Sequence, residues 1–244
     1  MTDELSKTGG AAITIVDSAT SSSDLVWAAA AQDAPSGTAF LVREQTAGRG
    51  RRGAGWSSSR GGMYFSMLLR PAISPRLWFG LSFVAALAIR QELARCLATV
   101  PVMLKWPNDI LLNNKKIGGI LVESEVYDKK IRTIIGIGIN IKIKKEESWW
   151  GDLSKFSIEA KRNELINQIL SDFIEKSDKL DFNWMDEWKN SCIHMNKKIK
   201  INNGDAFEKE AIFLGVDKNG NAIVKTDQGK ELISSGEISI KGIY

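Results

Sequence analysis

The sequence predicts an α+β protein: a mixed β-sheet flanked by helices, followed by a small C-terminal β-barrel. Two observations support this class. Up to about residue 190, apolar runs of strand length are interleaved with segments of helical composition. From Asn196 onward, short strands alternate with turn pairs at Asn203-Gly204, Asn219-Gly220 and Gln228-Gly229, a spacing typical of a small barrel. We therefore expect two domains, residues 1–192 and 193–244.

The larger domain should contain its elements in a simple order. Serines before a helix satisfy its first N–H groups, and a proline suits its first position. We expect the long last helix to pack on the sheet and lead to the barrel. The predicted elements are strand 11–18, a helix after Ser21–Ser23, strands 37–45 and 63–69, a helix from Ser74-Pro75 to Leu97, strand 102–106, a hairpin within 107–127 with its tip at Asn113-Asn114, strand 131–143 and helix 158–190.

Composition excludes several classes of protein. The 244 residues are 43% hydrophobic and 25% charged, which is ordinary for a globular protein, and the net charge is only +4. Such a charge suits an anionic ligand, but the sequence lacks the dense basic stripe that is usual in a nucleic-acid-binding protein. Two cysteines cannot build a disulfide framework, and no apolar run reaches membrane-spanning length. We expect a cytoplasmic protein that does not contact a membrane.

The segment GRGRRG (48–53) has the spacing of a dinucleotide-binding loop, G-x-G-x-x-G. That motif must open a helix and be followed about 20 residues later by an acidic residue, and the sequence here offers neither. Its three glycines nevertheless allow close approach to a ligand, and its arginines suit carboxylate or phosphate. The alternative is a solvated basic loop; the nearby glycines and lysines favour an anion site.

A second cluster lies in LKWPNDILLNNKKIGGILVE (104–123). Lys105 and Lys116 are cations in an apolar segment, and Gly118-Gly119 interrupts a strand, where glycine often marks close approach of a ligand. Asn108 and Asp109 alone could form an Asx turn, and the lysines alone could be exposed strand residues. Together these residues place an acid, an amide and two cations beside two glycines that leave room for a ligand.

Other conspicuous residues have ordinary explanations. His194 is the only histidine and has no nucleophile pattern nearby, which argues against a Ser-His-Asp hydrolase or a zinc site. We expect the tryptophans of the second half to pack in the core or at the domain junction rather than line a ligand site. These are Trp149, Trp150, Trp184 and Trp188.

The motifs QTAGRGRRG…W, KWPNDILLNNKKIGGILVE and GIGIN resemble, in order and spacing, those of biotin protein ligases. The resemblance covers about residues 15–142, and the tail from Asn196 to Lys241 is similar to that family's SH3-like C-terminal domain. It implies a catalytic domain of the class II aminoacyl-tRNA synthetase type. Because the first predicted strand begins near Ile13, we expect the branch without an N-terminal DNA-binding domain.

The resemblance implies a two-step reaction. The family joins biotin and ATP into biotinyl-5'-AMP, with Mg²⁺ usually helping, and then transfers biotin to one lysine of a carrier. The expected partner is the biotin carboxyl carrier protein, or a carrier domain, of acetyl-CoA carboxylase or a related carboxylase. No DNA or membrane partner is expected, and a homodimer is one of the states found in the family.

The resemblance also implies roles for individual residues. Lys116, Arg51 and Asp109 would be catalytic, with Asp109 orienting or deprotonating the incoming amine. Residues 21–23 are aligned with the family's S-T-N, although serine replaces the asparagine. The implied biotin-binding residues are Ser21, Ser22, Ser23, Gln45, Arg49, Gly50, Arg51, Lys116, Gly118 and Gly119. The implied ATP- or adenylate-binding residues are Arg49, Arg51, Arg52, Trp56, Lys105, Asn108 and Asn140, and no metal ligand is assigned.

Two alternatives remain open at this stage. A lipoate– or octanoate–protein ligase shares the catalytic fold, and ligand preference would separate it from a biotin ligase. A non-catalytic module that binds nucleic acid or biotin is the other alternative. The tail argues against the nucleic-acid reading because it has only two aromatic residues for base stacking, Phe207 and Phe213, between positions 196 and 240.

Overall fold

A computed structural model describes residues 13–70, 78–97, 100–128, 130–144, 146–178, 183–202, 208–234 and 239–242. The strands are β1 Ile13–Ala19, β2 Ala39–Gln45, β3 Gly62–Leu69, β4 Val102–Lys105, β5 Asp109–Leu112, β6 Lys115–Tyr127, β7 Lys130–Asn140, β8 Lys198–Asn202, β9 Glu208–Val216, β10 Ala222–Thr226, β11 Gly229–Ile233 and β12 Ser239–Gly242. The helices are α1 Ser22–Ala31, α2 Gly80–Leu97, α3 Arg162–Asp178 and α4 Trp184–Ser191.

Strands β1 to β7 form one mixed sheet in the order β1-β2-β3-β7-β6-β5-β4. Only β1 and β2 are parallel, and α1 connects them; the other neighbouring pairs are antiparallel. The tip of the β5–β6 hairpin is Asn113-Asn114, and both residues have the positive φ that such a tight turn requires. The α+β class predicted from the sequence is confirmed.

The two faces of this sheet are covered differently. Along β3, Met63, Phe65 and Met67 point toward α2 and belong to the main core. On the opposite face, Leu68 packs in a small separate cluster with Val26 and Ala30 of α1. Because α1 is short and reaches only part of its face, the rest of that face is left for a cavity.

The predicted helix over 158–190 is wrong as a single element. A 3-10 segment at Ile158–Lys161 precedes α3, and α4 is a separate short helix. Helix α3 packs against α2 rather than on the sheet, so it forms an outer layer. The predicted start of α2 at Ser74-Pro75 lies outside the described residues.

The C-terminal part is a five-stranded antiparallel sheet in the order β11-β10-β9-β8-β12. Within the described residues β11 and β12 do not pair, so the predicted barrel is observed as a sheet without closure. Asn219-Gly220 and Gln228-Gly229 form the predicted turns, with positive φ at both glycines, whereas Asn203-Gly204 lies outside the described residues. The proposed boundary at residue 192 stays a prediction.

Aromatic packing and two hydrogen bonds join this sheet to the larger domain. The Trp188 ring of α4 lies 6.4 Å from the Phe213 ring of β9, as expected for a junction residue. Within the larger domain, Phe83 of α2 stacks on Trp184 at 4.6 Å and meets the edge of Trp188 at 5.1 Å. The Ile193 N–H donates to the carbonyl of Leu104 at 2.9 Å. The Trp106 indole Nε1–H donates to the carbonyl of Gly220 at 3.0 Å. In the part of the chain that the structure describes, no helix is both long and apolar enough to cross a membrane.

His194 lies at this junction and gives the fold a pH dependence. Burial, with help from the charges of Lys105 and Lys197, lowers the pKa of His194 to about 4 from 6.5. Below pH 6.5 the unfolded chain binds a proton that the folded chain does not, so stability falls as the pH drops from 6.5 to 4. We expect a loss of up to about 3 kcal/mol in the free energy of unfolding.

Urea unfolding between pH 7 and pH 4.5 measures this loss, and His194→Gln should have a flatter profile. Since His194 is the only histidine, no other imidazole contributes to the difference. Equal pH dependence in the two proteins would contradict the assignment.

Candidate active site

A cavity of about 650 Å³ opens on the α1 face of the large sheet. Its floor consists of residues that face each other across β3, β7 and β6. Ser66 pairs with Gly136, and Gly138 lies between Tyr64 and Gly119. Because three of these floor positions are glycines, the sheet presents a trough with little side-chain bulk. The size suits a small-molecule ligand.

One end of the trough is polar and closed. Ser21 is the N-cap of α1 and its Oγ accepts from the Ser23 N–H at 3.2 Å. The Oε1 of Gln45 accepts from the Ser22 N–H at 2.7 Å, while its Nε2 donates to Ser58 Oγ at 2.8 Å. These two bonds fix the orientation of the Gln45 amide, so this end presents hydroxyls and an ordered amide.

The GRGRRG segment is a compact loop in the wall of the cavity. The Gly50 N–H donates to the Ala54 carbonyl at 2.7 Å, and the Trp56 N–H donates to the Gly48 carbonyl at 2.9 Å. A Cβ at Gly48 would collide with the Trp56 carbonyl, so the loop needs glycine there. A 3-10 turn at Arg51–Gly53 follows instead of the helix that a dinucleotide fold demands. The conclusion that this segment is not a dinucleotide-binding loop is therefore confirmed.

The first two arginines of the loop have different surroundings. Arg49 Nη1 donates to Asp24 Oδ1 at 2.6 Å, and Nη2 lies 3.8 Å from Glu123 Oε2. Arg51 is half-buried in the cavity wall, and burial, with the charge of Arg52, lowers the pKa of its guanidinium against the opposing effect of Asp109. The structure thus ties Arg49 to carboxylates and places Arg51 among cations.

The other end of the cavity concentrates positive charge around one carboxylate. Lys116 Nζ lies 2.6 Å from Asp109 Oδ1, and both side chains are about four-fifths buried, with exposures of 20% and 17%. Burial lowers the pKa of Lys105, and the carboxylate of Asp109 opposes that shift. With Arg51 and Arg52, these lysines make a four-cation group lining the cavity. Such a group attracts phosphate or carboxylate oxygens.

Trp56 lies in the middle of the trough. Its ring lies directly over Gly119 and Gly138. Lys116 Nζ is 5.0 Å from the ring centroid, a distance typical of a cation–π interaction. Its buried Nε1 has no hydrogen-bond partner among the described residues. The Trp56 ring can lie this close to the sheet only because residue 138 is glycine: a Cβ there would lie 2.7 Å from Nε1.

Gly138→Ala is therefore expected to lower stability by about 1–3 kcal/mol, the usual cost of forcing a methyl group into filled space. If the collision is with the Trp56 indole, the same change should cost much less in a Trp56→Ala background. A four-protein unfolding cycle measures this coupling. If the two substitutions have additive effects on the free energy of unfolding, the Trp56 indole does not lie against Gly138.

Most residues proposed from the sequence line this cavity, but one does not. Gly118 faces the α2 side, where a Cβ would meet Ile110 and Ile139, since neighbouring strand residues point to opposite faces. The proposed residues that line the cavity are Ser21, Ser22, Ser23, Gln45, Arg49, Gly50, Arg51, Arg52, Trp56, Lys105, Asn108, Asp109, Lys116, Gly119 and Asn140. The cavity therefore gathers proposed residues that are up to 119 positions apart, from Ser21 to Asn140.

The structure also adds residues that the sequence did not suggest. Trp149 and Trp150 line the cavity, so their assignment to core or junction is wrong. The Lys116 N–H donates to the Trp149 carbonyl at 3.0 Å, which brings this segment to the site. Asn140 Nδ2 holds the same segment by donating to the Gly151 carbonyl at 3.0 Å. Other unforeseen cavity residues are Tyr64, Ser66, Gly136 and Gly138.

Comparison with known proteins places the chain in a family. Residues 15–140 match the model of the biotin/lipoate A/B protein ligase family, and residues 194–241 match the biotin protein ligase C-terminal domain. The chain belongs to the biotin/lipoate A/B protein ligase family. Both parts of the resemblance noted in the sequence are thereby confirmed.

Individual relatives of this ligase family agree. The biotin–[acetyl-CoA-carboxylase] ligase of Paracoccus denitrificans is 31% identical over 222 residues, covering 85% of this chain and 92% of the relative. The bifunctional ligase/repressor BirA of Bacillus subtilis is 30% identical over 224 residues, covering 85% of this chain and 67% of BirA. The Aquifex aeolicus biotin protein ligase in complex with biotin and ATP superposes with a TM-score of 0.77 at 26% identity, covering 94% of this chain and 98% of that chain.

Proposed function

We propose that this chain is an ATP-dependent biotin–protein ligase. It would form biotinyl-5'-AMP from biotin and ATP and transfer biotin to a lysine of the biotin carboxyl carrier protein of acetyl-CoA carboxylase, or of a related carboxylase. One observation carries the proposal: a single trough joins a closed end of hydroxyls and an amide to a group of four cations. A polar head group at one end and reacting anions at the other match the two substrates.

The first step is the attack of the biotin carboxylate oxygen on the α-phosphorus of ATP. A new P–O bond forms, the bond to the β-phosphate breaks, and pyrophosphate leaves. Two anions must approach each other, so the main demand is charge neutralisation and alignment. All four cations line the cavity. We assign this neutralisation to Lys116 and Arg51, and we assign contacts with the remaining phosphates to Lys105 and Arg52.

In the second step the carrier lysine attacks the acyl carbon of the adenylate and AMP leaves. The attacking amine must lose a proton, and Asp109 is the carboxylate among the described residues that line the cavity. Its pairing with Lys116 at 2.6 Å holds the carboxylate in place. We assign it the orientation of the incoming amine and the acceptance of its proton.

A Mg²⁺ ion belongs to the proposal as a companion of ATP. Among the described residues no three His, Cys, Asp or Glu side chains come together as a metal site. Mg²⁺ commonly binds substrate phosphates together with one or two protein carboxylates, so we expect the nucleotide to carry it. When bound, it would neutralise phosphate charge, and no protein ligand for it is assigned.

We further propose that the ligase acts in the cytoplasm and without a DNA or membrane partner. Both cysteines are free thiols, as expected in a reducing compartment.

Sedimentation of the purified chain, with and without biotin, distinguishes a monomer from the homodimer considered above.

The deciding experiment is ATP–pyrophosphate exchange with Mg²⁺, run with biotin, with lipoate and with neither. Exchange with biotin alone is expected, and transfer to a purified carrier domain is then measured. Exchange with lipoate instead would identify a lipoate–protein ligase. A folded sample that binds biotin but gives no exchange would be the non-catalytic module considered above.

A further inference from the structure

Arg49 directs its guanidinium from the GRGRRG loop to two carboxylates. Its Nη1 donates to Asp24 Oδ1 at 2.6 Å, and its Nη2 lies 3.8 Å from Glu123 Oε2. Asp24 belongs to the first turn of α1 and Glu123 belongs to β6. Neither carboxylate lines the cavity, although Arg49 does. The side chain of Arg49 therefore connects the loop to two elements of the scaffold.

The carboxylate of Asp24 is itself fixed by a second hydrogen bond. Thr20 Oγ1 donates to Asp24 Oδ2 at 2.6 Å, which leaves Oδ1 for Arg49. Burial raises the pKa of Asp24, but the hydrogen bonds from Thr20 and Arg49 outweigh burial and hold the pKa below its ordinary value. An acid in the first turn of a helix also interacts favourably with the positive end of the helix dipole. Arg49 thus meets an ionised carboxylate of fixed orientation.

The base of the loop and its outer part are attached in different ways. At the base, the N–H groups of Thr46 and Ala47 donate to two carbonyls at the end of β1 and just after it, both at 2.9 Å. Beyond the base, residues 48–56 form a small hairpin closed by its own backbone hydrogen bonds. A hairpin held at its base can pivot there unless a side chain fixes its outer part. The ion pair of Arg49 with Asp24 is such a restraint.

The outer part of the loop is also a section of the cavity wall. Arg51, Arg52 and Trp56 line the cavity, and they follow Arg49 within seven positions. If the loop moves away from α1, this section of the wall opens and the three side chains leave a bound ligand together. Opening of such a loop often sets the rate at which an enzyme releases its ligand. A restraint on the loop therefore acts on release.

We propose that Asp24 is a positioning residue: through the guanidinium of Arg49, it holds the GRGRRG loop against α1 and thereby slows release of the adenylate. Arg49 then acts as an anchor of the loop, and its guanidinium does not contact the substrates as the resemblance implies. The effect on the adenylate rests on the proposed function. The anchoring itself is a property of the protein without substrates, so the two parts are tested separately.

Limited trypsin digestion of the full chain without substrates tests the anchoring. Trypsin cuts after Arg51 or Arg52 only when the loop opens, and mass spectrometry identifies the fragments. Asp24→Asn keeps the shape of the side chain but removes its charge. We expect cleavage at these two sites to be about three- to fivefold faster, as for loss of a partly exposed ion pair. Asp17→Asn is the matched control, because Asp17 pairs with Arg60 of the same β2–β3 connection outside the cavity.

Release of preformed, labelled biotinyl-5'-AMP tests the consequence. Filter binding with an unlabelled chase follows the half-time. Asp24→Asn should release the adenylate about three- to fivefold faster, and Asp17→Asn should release it at the unmodified rate. Arg49→Gln should have the same effect as Asp24→Asn. The double variant should release the adenylate no faster than either single variant, because both changes remove one interaction.

The outcomes separate this inference from the proposed function. Unchanged cleavage of Asp24→Asn would overturn the anchoring. Faster cleavage with unchanged release would overturn the control of release by Asp24. Additive effects of Asp24→Asn and Arg49→Gln on release would show that the Arg49 guanidinium contacts the adenylate, and would overturn its role as an anchor. If the unmodified protein does not bind the adenylate, the proposed function fails, while the digestion still decides whether Asp24 anchors the loop.

Discussion

Lys116→Ala is expected to reduce adenylate formation by about 100-fold or more, the usual loss when a preorganised group facing developing charge is removed. Lys116 combines three features: its side chain is about four-fifths buried, its Nζ lies 2.6 Å from Asp109 Oδ1, and that Nζ lies over the Trp56 ring. Removal would leave the Asp109 carboxylate in the trough without its partner, so the site would repel the anions that it must bring together.

Initial rates of ATP–pyrophosphate exchange measure this loss, and Lys115→Ala is the matched control. Lys115 is the preceding residue on β6, carries the same charge and is exposed. Its removal should leave the rate within about twofold, as is usual for surface changes. Similar rates for the two variants would remove Lys116 from the catalytic group.

Arg51→Gly is expected to release the adenylate about 10- to 100-fold faster, because one charge-assisted hydrogen bond to the phosphate is lost. Arg51 is half-buried in the cavity wall close to Arg52 and Asp109. The loop already contains glycines, so a further glycine preserves its ability to adopt this path. The effect should appear in release rather than in the KM for biotin, since the cation faces the phosphate end.

Filter binding of labelled adenylate, chased with unlabelled biotin, follows the release. Arg60→Gly is the control, because Arg60 belongs to the same connection between β2 and β3 but pairs with Asp17 and Glu44 outside the cavity. Release from that variant should match the unmodified protein. Unchanged release from Arg51→Gly would assign phosphate binding to the other cations.

The structure separates arginines that the sequence treats alike. Within GRGRRG, the motif alone gives Arg49 and Arg51 the same chemistry. In the fold, Arg49 reaches Asp24 on α1 and approaches Glu123 on β6. Arg49 therefore holds the loop against two elements of the scaffold, while Arg51 stays in the cavity wall. Partners so distant in the chain could not be inferred from local spacing.

The succession of strands along the chain, the hairpin tip at Asn113-Asn114 and the positive charge of both motifs were predictable, because each depends on local patterns. Turn residues and strand periodicity report on backbone geometry within a few positions. The break in the long helix was not predictable, since residues 158–190 are helical in composition throughout. The packing of α3 on α2 likewise depends on a distant element.

The sequence by itself determined the chemistry available to this protein: cations and glycines in two motifs, serines before a helix and an amide at the end of a strand. Only the tertiary structure decided which of them share a cavity. The pleat of β6 turns Gly119 toward the trough and Gly118 away from it. Strand pairing brings Ser66 beside Gly136, and a backbone bridge carries Trp149 and Trp150 to Lys116. These relations are long-range because sheet faces and strand neighbours are set by the whole fold, not by any one segment.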